Sequence, residues 1–457
     1  MIKAKLEPEF MPMVKVINDY KAAVAKAENQ PVVISVERNN SLMAVYKLDV
    51  YKEGTGHDEE NYGIVERIIK TLLWAKGGFK VYVAGSKYIY DRIADDYRIG
   101  GAREFDFNFM ARVYEKPFEV IYVENVADAP KENDASSPIG RHLDGCRIGF
   151  DAGGSDRKVS AVVDGETVYS EEVVWFPKLQ EDPMYHYEGI LNAMKTAASH
   201  MPRVDAIGVS SAGVYIDNKI MVASLFLKVS DEDFEKKVKN MYIDVAREIG
   251  ENIPIEVAND GDVTALAGAM SLNDNGILGV AMGTSEAAGY VDMDGNITGW
   301  LNELAFAPVD FNEGAMVDEW SGDYGCGVKY FSQDGVIKLA PFAGIELDEN
   351  LSPAEKLKVV QGLMKEGDER AAAIYDTIGA YFGYAIAYYC EFYDIKQVLI
   401  MGRVTSGEGG VILLERAKEV LSTEFPELAK KVTLNIPDEK ARRVGQSVAA
   451  ASLPMIQ

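Results

Sequence analysis

The sequence predicts a mixed α/β protein with two similar lobes preceded by a smaller α/β module. Three observations carry this. Short apolar strands alternate with long helical segments, the pattern of α/β layers rather than of a sandwich. One unit, a strand entering a tight polar–glycine turn followed by a hairpin, occurs twice, about 130 residues apart. A polar stretch rich in Pro, Asp and Ser, residues 128–140, separates that repeat from what precedes it and reads as a linker. A chain of 457 residues has room for roughly three units of about 150 residues.

In chain order, residues 13–29, rich in Ala, Val and Lys, read as a helix. Residues 32–36 and 42–48 read as strands from their β-branched content, with Asn39-Asn40-Ser41 as turn chemistry between them. An amphipathic helix is expected over 62–76, stopped by Gly77-Gly78, and strands over 81–84 and 120–123. This strand-rich module, residues 1–140 with its linker, holds no chemical motif. The region 141–457 opens on a strand at 147–151 that runs into Gly153-Gly154, then a hairpin turning at Asp164-Gly165. The second occurrence is a strand at 277–282 running into Gly283-Thr284-Ser285, with a hairpin expected to turn at Asp294-Gly295. Long helices are expected over 184–200, 231–249 and 371–392.

Charge limits the ligand chemistry. The chain has 47 basic and 72 acidic side chains, net −25, which excludes a nucleic-acid phosphate binder. The imbalance is local: residues 1–140 are net −3 and residues 141–457 are net −22. An anionic ligand there must be held by backbone N–H groups, local dipoles or a metal ion. Cys146, Cys326 and Cys390 form no CxxC pair, so no disulfide framework or cysteine zinc site is indicated. MIKAKLEPEF has no apolar h-region and no stretch of about 18 apolar residues occurs, so no membrane partner is expected and a cytoplasmic location is. The four histidines show no HxH or HExxH spacing, and Gly-x-Ser-x-Gly and Walker A loops are absent.

Four constellations carry chemistry. Asp151-Ala152-Gly153-Gly154-Ser155 places a carboxylate at a strand end before two glycines, whose N–H groups can approach a phosphate while Asp151 holds hydrated Mg²⁺. Gly283-Thr284-Ser285 stands in the equivalent place of the second lobe, although Glu286 adds negative charge beside it. Asn259-Asp260-Gly261-Asp262 follows an apolar strand and precedes a helix: a cap by one reading, a carboxylate facing a substrate hydroxyl by another. Gly402-Arg403-Val404-Thr405-Ser406-Gly407 joins an apolar strand to a helix, and helix N-termini favour anions. The Tyr and Trp cluster at 300–330 reads as a packed loop core.

Taken in order, these loops resemble the ROK family of sugar kinases, over residues 146–456. The family's first phosphate motif resembles Asp151–Ser155 with Ser for Thr, and its Pro-Gly loop resembles Ser210-Ser211-Ala212-Gly213 with Ala for Pro. Its Asn-Asp sugar motif resembles Asn259-Asp260, its second phosphate loop 283–289, and its adenosine motif Gly402-Arg403-Val404-Thr405. Its Gly-Glu-x-Gly-His segment resembles residues 302–306, where Glu303 persists and Phe306 replaces the His. Its zinc-binding cysteine run resembles residues 321–327, where Cys326 alone persists, so no zinc site is expected.

The resemblance implies a two-lobed actin-like ATPase (ribonuclease H-like) fold. It implies ATP-dependent phosphoryl transfer to a hydroxyl of a sugar-like substrate, with ATP and Mg²⁺ as cofactors and a homodimer left open. Asp260 would be the general base, with Ser211, Gly213, Asn259 and Glu303 around the sugar. Gly153, Gly154, Ser155, Gly283, Thr284, Ser285, Gly402, Arg403 and Thr405 would hold the nucleotide. The alternative is a non-catalytic sugar or nucleotide sensor, for which the lost His and thinned second glycine loop argue. A repressor is disfavoured, since residues 1–140 are strand-rich and acidic.

Overall fold

A computed structural model describes residues 1–134, 138–437 and 439–456. The N-terminal module is a four-stranded sheet of order β2-β1-β3-β4, with β1 Asn29–Glu37, β2 Met43–Tyr51, β3 Lys80–Ala84 and β4 Glu119–Val123. The helix expected over 62–76 spans Asp58–Lys76, and Gly77 ends it at φ 85°. Two further helices were missed, Lys87–Asp96 and Glu104–Tyr114. The first carries a legible cap, Ser86 Oγ accepting from Ile89 N–H at 3.3 Å.

The first lobe holds a five-stranded sheet of order β11-β8-β5-β6-β7: β5 Cys146–Ala152, β6 Asp156–Val163, β7 Glu166–Val174, β8 Ala206–Ser211 and β11 Ile255–Asn259. Strands β5, β6 and β7 form an antiparallel meander, and β8 and β11 continue it in parallel. Asp164 and Gly165 both take positive φ, 48° and 85°, as the expected two-residue hairpin requires. A small ribbon, β9 Val214–Ile216 with β10 Lys219–Val222, stands beyond β8. The second lobe repeats the pattern with β12 Ile277–Met282, β13 Glu286–Val291, β14 Gln397–Met401 and β15 Thr433–Asn435, in the order β13-β12-β14-β15. The expected two-lobed α/β architecture is therefore present.

The lobes are joined by close backbone approach. The helix Asp260–Leu272 leaves β11 and lies against β13, where a Cβ on Gly261 would meet the Ala288 carbonyl oxygen at 2.4 Å. The C-terminal helix, Glu439–Ala451, returns to the first lobe across β5 and β8.

Three expectations need correction. The helix over 231–249 is broken into Asp231–Asp233, a π turn at Phe234–Val238, and Met241–Ile249. Lys239 N–H reaches Phe234 O while Ile220 N–H of β10 takes the Lys239 carbonyl, so the ladder cannot continue. The turn at Asp294-Gly295 forms, but only one bridge, Val291 to Ile297, follows it. Ile297 N–H bonds the Ile139 carbonyl instead, which draws the chain off the sheet. Finally, 128–140 is not a bare tether: Met43 and Asn133 exchange both backbone bonds, and Ser35 Oγ donates to the Pro130 carbonyl. Residues 135–137 of that stretch lie outside the described residues.

The module and second lobe share one hydrophobic core. Ile64, Ile68, Leu72 and Trp74 are all buried, and Trp74 packs on Phe306 with ring centroids 4.3 Å apart. Phe306, where the family resemblance places a His, thus fills an aromatic cluster with Trp74 and Phe105. Around positions 321–327, Arg67 and Lys70 both pair with Asp323 at 2.9 Å, and Cys326 is buried beside them. Trp300 stacks on Tyr290 at 5.2 Å and Tyr330 is buried, consistent with the packed loop core expected there.

Candidate functional site

The ends of three neighbouring parallel strands of the first lobe, β5, β8 and β11, lie side by side, with Asp151 opposite Ser210 and Ser211 opposite Asn259. Asp151 closes β5, and its Oδ1 accepts from Ser210 Oγ at 2.9 Å. Ser211 Oγ accepts from Tyr242 OH at 3.0 Å, so its hydroxyl is tied into the lobe. Asn259 ends β11 and caps the next helix: its Oδ1 accepts from Gly261 N–H and its Nδ2 donates to the Gly213 carbonyl, both at 2.7 Å. The cap reading of this motif holds: Asn259 makes the cap, and the cap sets Asp260 at the first helical position, where it is partly exposed.

Carboxyls dominate the electrostatics. Burial raises Asp260 above the usual carboxylate range, with the N–H of Gly261 and the charge of Lys178 opposing. Asp151 is pushed up to about 6 by burial, with Asp260 adding to the rise. Glu303 is pushed up to about 7 by burial and then by Asp260 and Asp262. Asp262 reaches about 7 although Tyr290 N–H and Asn302 Nδ2 both donate to it. Asp260 contributes to the upward shifts of Asp151, Asp262 and Glu303. Among the described residues, no group of three or more His, Cys, Asp or Glu is arranged to hold a metal ion.

Glu286 is the outlier. It is buried at the start of β13, neither carboxyl oxygen has a hydrogen-bond partner, and burial pushes it up to about 8. The folded state therefore holds this proton more tightly than the unfolded chain, whose Glu value is near 4.5. The associated stability is fully present below about pH 4.5 and is lost as pH rises toward 8. Glu286→Gln is expected to raise the melting temperature of the ligand-free protein more at pH 8 than at pH 6. The difference should be on the order of 1–2 kcal/mol. An equal effect at both pH values in thermal denaturation would show that Glu286 does not titrate there.

The glycine turns that follow β5 and β12 are the candidate phosphate loops. Gly154 and Ser155 are exposed, Gly153 O accepts from Trp175 Nε1 at 2.7 Å, and a Cβ on Gly154 would lie 3.2 Å from the Lys178 ammonium. Thr284 and Ser285 are exposed beyond Gly283, whose N–H bonds the Ser285 carbonyl at 3.0 Å. Behind them, a cavity of about 130 Å³ is lined by Gly283, Lys358, Gln361, Arg403 and Ser406. A second of about 250 Å³ shares Gln361 and Ser406 and adds Met364, Lys365, Tyr375 and Gly407–Gly409. Gly402 takes φ 99°, Thr405 Oγ1 donates to its carbonyl at 3.0 Å, and Gln361 Nε2 donates to the Arg403 carbonyl at 2.7 Å. Thr405 is buried in that turn and braces it from within.

Three side chains of this site escaped sequence reasoning. Lys178 follows β7 in a Pro-Lys-Leu turn with no motif. Lys358 and Gln361 sit three apart on Pro353–Lys365, a helix whose only legible feature is the Ser352–Glu355 capping box.

No family model matches the sequence. No curated protein matches it either. Among solved structures, a ROK hexokinase from Thermus thermophilus is similar at 18% identity over 67% of this chain and 97% of its own, with a TM-score of 0.50. A ROK family transcriptional regulator, a homologue of the E. coli Mlc protein, is similar at 17% identity over 68% of this chain and 79% of its own, also with a TM-score of 0.50. No helix among the described residues is long and apolar enough to cross a membrane. Over about two thirds of its length, then, the chain has the two-lobed actin-like ATPase fold of the ROK hexokinase and regulator structures.

Proposed function

We propose that this protein is an ATP-dependent carbohydrate kinase of the cytoplasm. What supports the reading is that Asp260 opens the helix after β11, two strands from Asp151 on β5, and that glycine turns of both lobes are exposed at Gly154-Ser155 and Thr284-Ser285. Asp260 would take the proton of the attacking hydroxyl, and Glu303 would hold a neighbouring hydroxyl. Gly153, Gly154, Ser155, Gly283, Thr284 and Ser285 would cradle the phosphates. Gly402, Arg403 and Thr405 would shape the nucleoside slot, with Gln361 and Tyr375. Asn259 would act through its cap, since both of its amide functions are already engaged. Gly213 would fix that amide by its carbonyl, and Ser211 would brace the strand end.

Asp151 fits a Mg²⁺ delivered with the nucleotide, because Mg²⁺ commonly takes one or two carboxylates and completes its shell with substrate phosphates and water. The ion would neutralise phosphate charge that this acidic lobe otherwise repels. ADP release measured across a panel of neutral sugars with Mg-ATP tests the proposal, and silence throughout would overturn it. Lys178→Met is expected to lower kcat about 100-fold with a small change in KM, because a cation beside Gly154 acts on charge that grows in the transition state. Unchanged kcat would remove Lys178 from the reaction.

A second reading is favoured by the unpartnered Glu286 carboxyl beside the second glycine loop. It is a sugar- or nucleotide-responsive regulator without turnover, and one similar structure is a transcriptional regulator. Saturable sugar binding without ADP release selects it.

A further inference from the structure

The helix Asp58–Lys76 of the N-terminal module ends directly on residues 301–303 of the second lobe. The last four carbonyls of an α-helix have no partner inside it. Here Leu73 O accepts from the N–H of Gly77, and the other three accept from consecutive backbone N–H groups of the lobe. Trp74 O takes Glu303 at 2.9 Å, Ala75 O takes Asn302 at 3.0 Å and Lys76 O takes Leu301 at 3.3 Å. The helix end and the segment that bears Glu303 therefore satisfy one another. Side chains close the joint, with the Lys76 ammonium 2.8 Å from the Trp300 ring centroid and Trp74 against Phe306.

Asn302 carries this placement further. It is 2% exposed and takes φ 52°, in the left-handed region that Asn tolerates better than most residues. Both of its amide functions are engaged in the interior. Nδ2 donates to Asp262 Oδ1 at 2.8 Å, and Oδ1 accepts from Tyr393 OH at 3.0 Å. Asp262 Oδ1 also accepts from the N–H of Tyr290 on β13 at 3.0 Å. Asp262 lies in the first turn of the helix that Asp260 opens. One residue thus ties three pieces together: the module by its backbone, the start of the Asp260 helix by its amide, and Glu303 by the next peptide bond.

We propose that Asn302 is a positioning residue for phosphoryl transfer, through which the N-terminal module fixes Glu303 relative to Asp260. This rests on the kinase reading for the roles of Asp260 and Glu303, while the joint itself does not depend on turnover. A misplacement of about 1 Å remote from the chemistry can cost about 10²-fold in rate. The side-chain bonds of Asn302 go to Asp262 and Tyr393 rather than to the glycine turns, so the loss should fall on turnover and spare nucleotide binding.

Asn302→Gly in the full chain tests this, because Gly accepts φ 52° without strain and only the amide is lost. With the neutral sugar that gives the fastest ADP release, kcat should fall about tenfold or more while KM for Mg-ATP stays within about twofold. Combining Asn302→Asp with Asp262→Asn transposes amide and carboxyl and should restore most of kcat; Asn302→Asp alone sets two carboxyls together and should not. Should Asn302→Gly fail to fold, Tyr393→Phe, which removes one bond to Asn302 and keeps the ring, is expected to show the same split. Unchanged kcat, or equal losses in kcat and Mg-ATP binding, would overturn the positioning role.

Amide hydrogen exchange of the ligand-free chain, read by mass spectrometry, needs no substrate. Asn302→Gly should speed exchange about tenfold or more over residues 260–266 as well as 301–303. Acceleration confined to 301–303 would overturn the link to the Asp260 helix whatever the turnover. If the wild type releases no ADP with any sugar, the kinase reading falls, and acceleration at both places still leaves Asn302 as the tie between module and helix.

Discussion

On the proposed reading, Asp260→Asn is expected to lower phosphoryl transfer to a sugar by about 10²- to 10⁴-fold, the usual contribution of a general base. Mg-ATP should still bind. The substitution is nearly isosteric, and the helix start does not depend on this carboxyl: Asn259 supplies the cap, and Thr264 Oγ1 bonds the Asp260 backbone carbonyl rather than its side chain. What disappears is the only function of the side chain that turnover needs, acceptance of a proton. Because burial raises this carboxyl, wild-type turnover should decline as pH falls through its raised value, and that limb should vanish from the residual activity of the variant. Rapid-quench turnover with parallel nucleotide binding measures both. Near wild-type turnover in the variant would remove Asp260 from the base role.

The second large effect is on stability, and it lies outside the candidate site. Arg67 and Lys70 are fully buried, with Glu66 and Asp106 from the module and Asp323 from the second lobe. Arg67 bonds Asp323 in a bidentate manner at 2.9 and 3.2 Å, and Arg103 adds a contact to Asp323 at 2.8 Å. Arg67→Met removes one cation and leaves Glu66 and Asp323 buried with less compensation. The expected cost is roughly 3–5 kcal/mol, the range for breaking a buried pair by deleting one partner. Chemical denaturation should show it as a lower midpoint with unchanged slope. The double variant Arg67→Met with Asp323→Leu should recover much of the loss, since replacing both partners by apolar groups is often neutral. A loss below about 1 kcal/mol, the range of surface pairs, would mean that the cluster does not tie module to lobe.

Much of the second region was legible from local chemistry. Residues 277–282 were expected as a strand and form one with the same bounds, because five apolar residues and Gly279 run into the polar turn Gly283-Thr284-Ser285. Asp164-Gly165 was legible because only a few residue types tolerate positive φ in a two-residue turn. The helix over 231–249 was not, because the bond that breaks it comes from Ile220, a residue outside the segment. Glu286 looked misplaced beside a phosphate loop, and the fold shows why sequence could not settle its fate. Its surroundings are Gly327 and Leu304, more than ten residues away in sequence, where a Cβ on Gly327 would lie 2.3 Å from its carboxyl oxygen.

Asp260 entered as a base only through the family resemblance, whereas periodicity and turn residues were enough for two α/β lobes and for the glycine turns after β5 and β12. Each depends on residues within a few positions of one another, where backbone geometry alone sets the outcome. The relation of the module to the site belongs to the tertiary structure. Packing of Asp58–Lys76 under the second lobe puts Trp74 against Phe306 and Arg67 against Asp323. Those partners are more than 200 residues apart in the chain, and only burial of a shared apolar core brings them together.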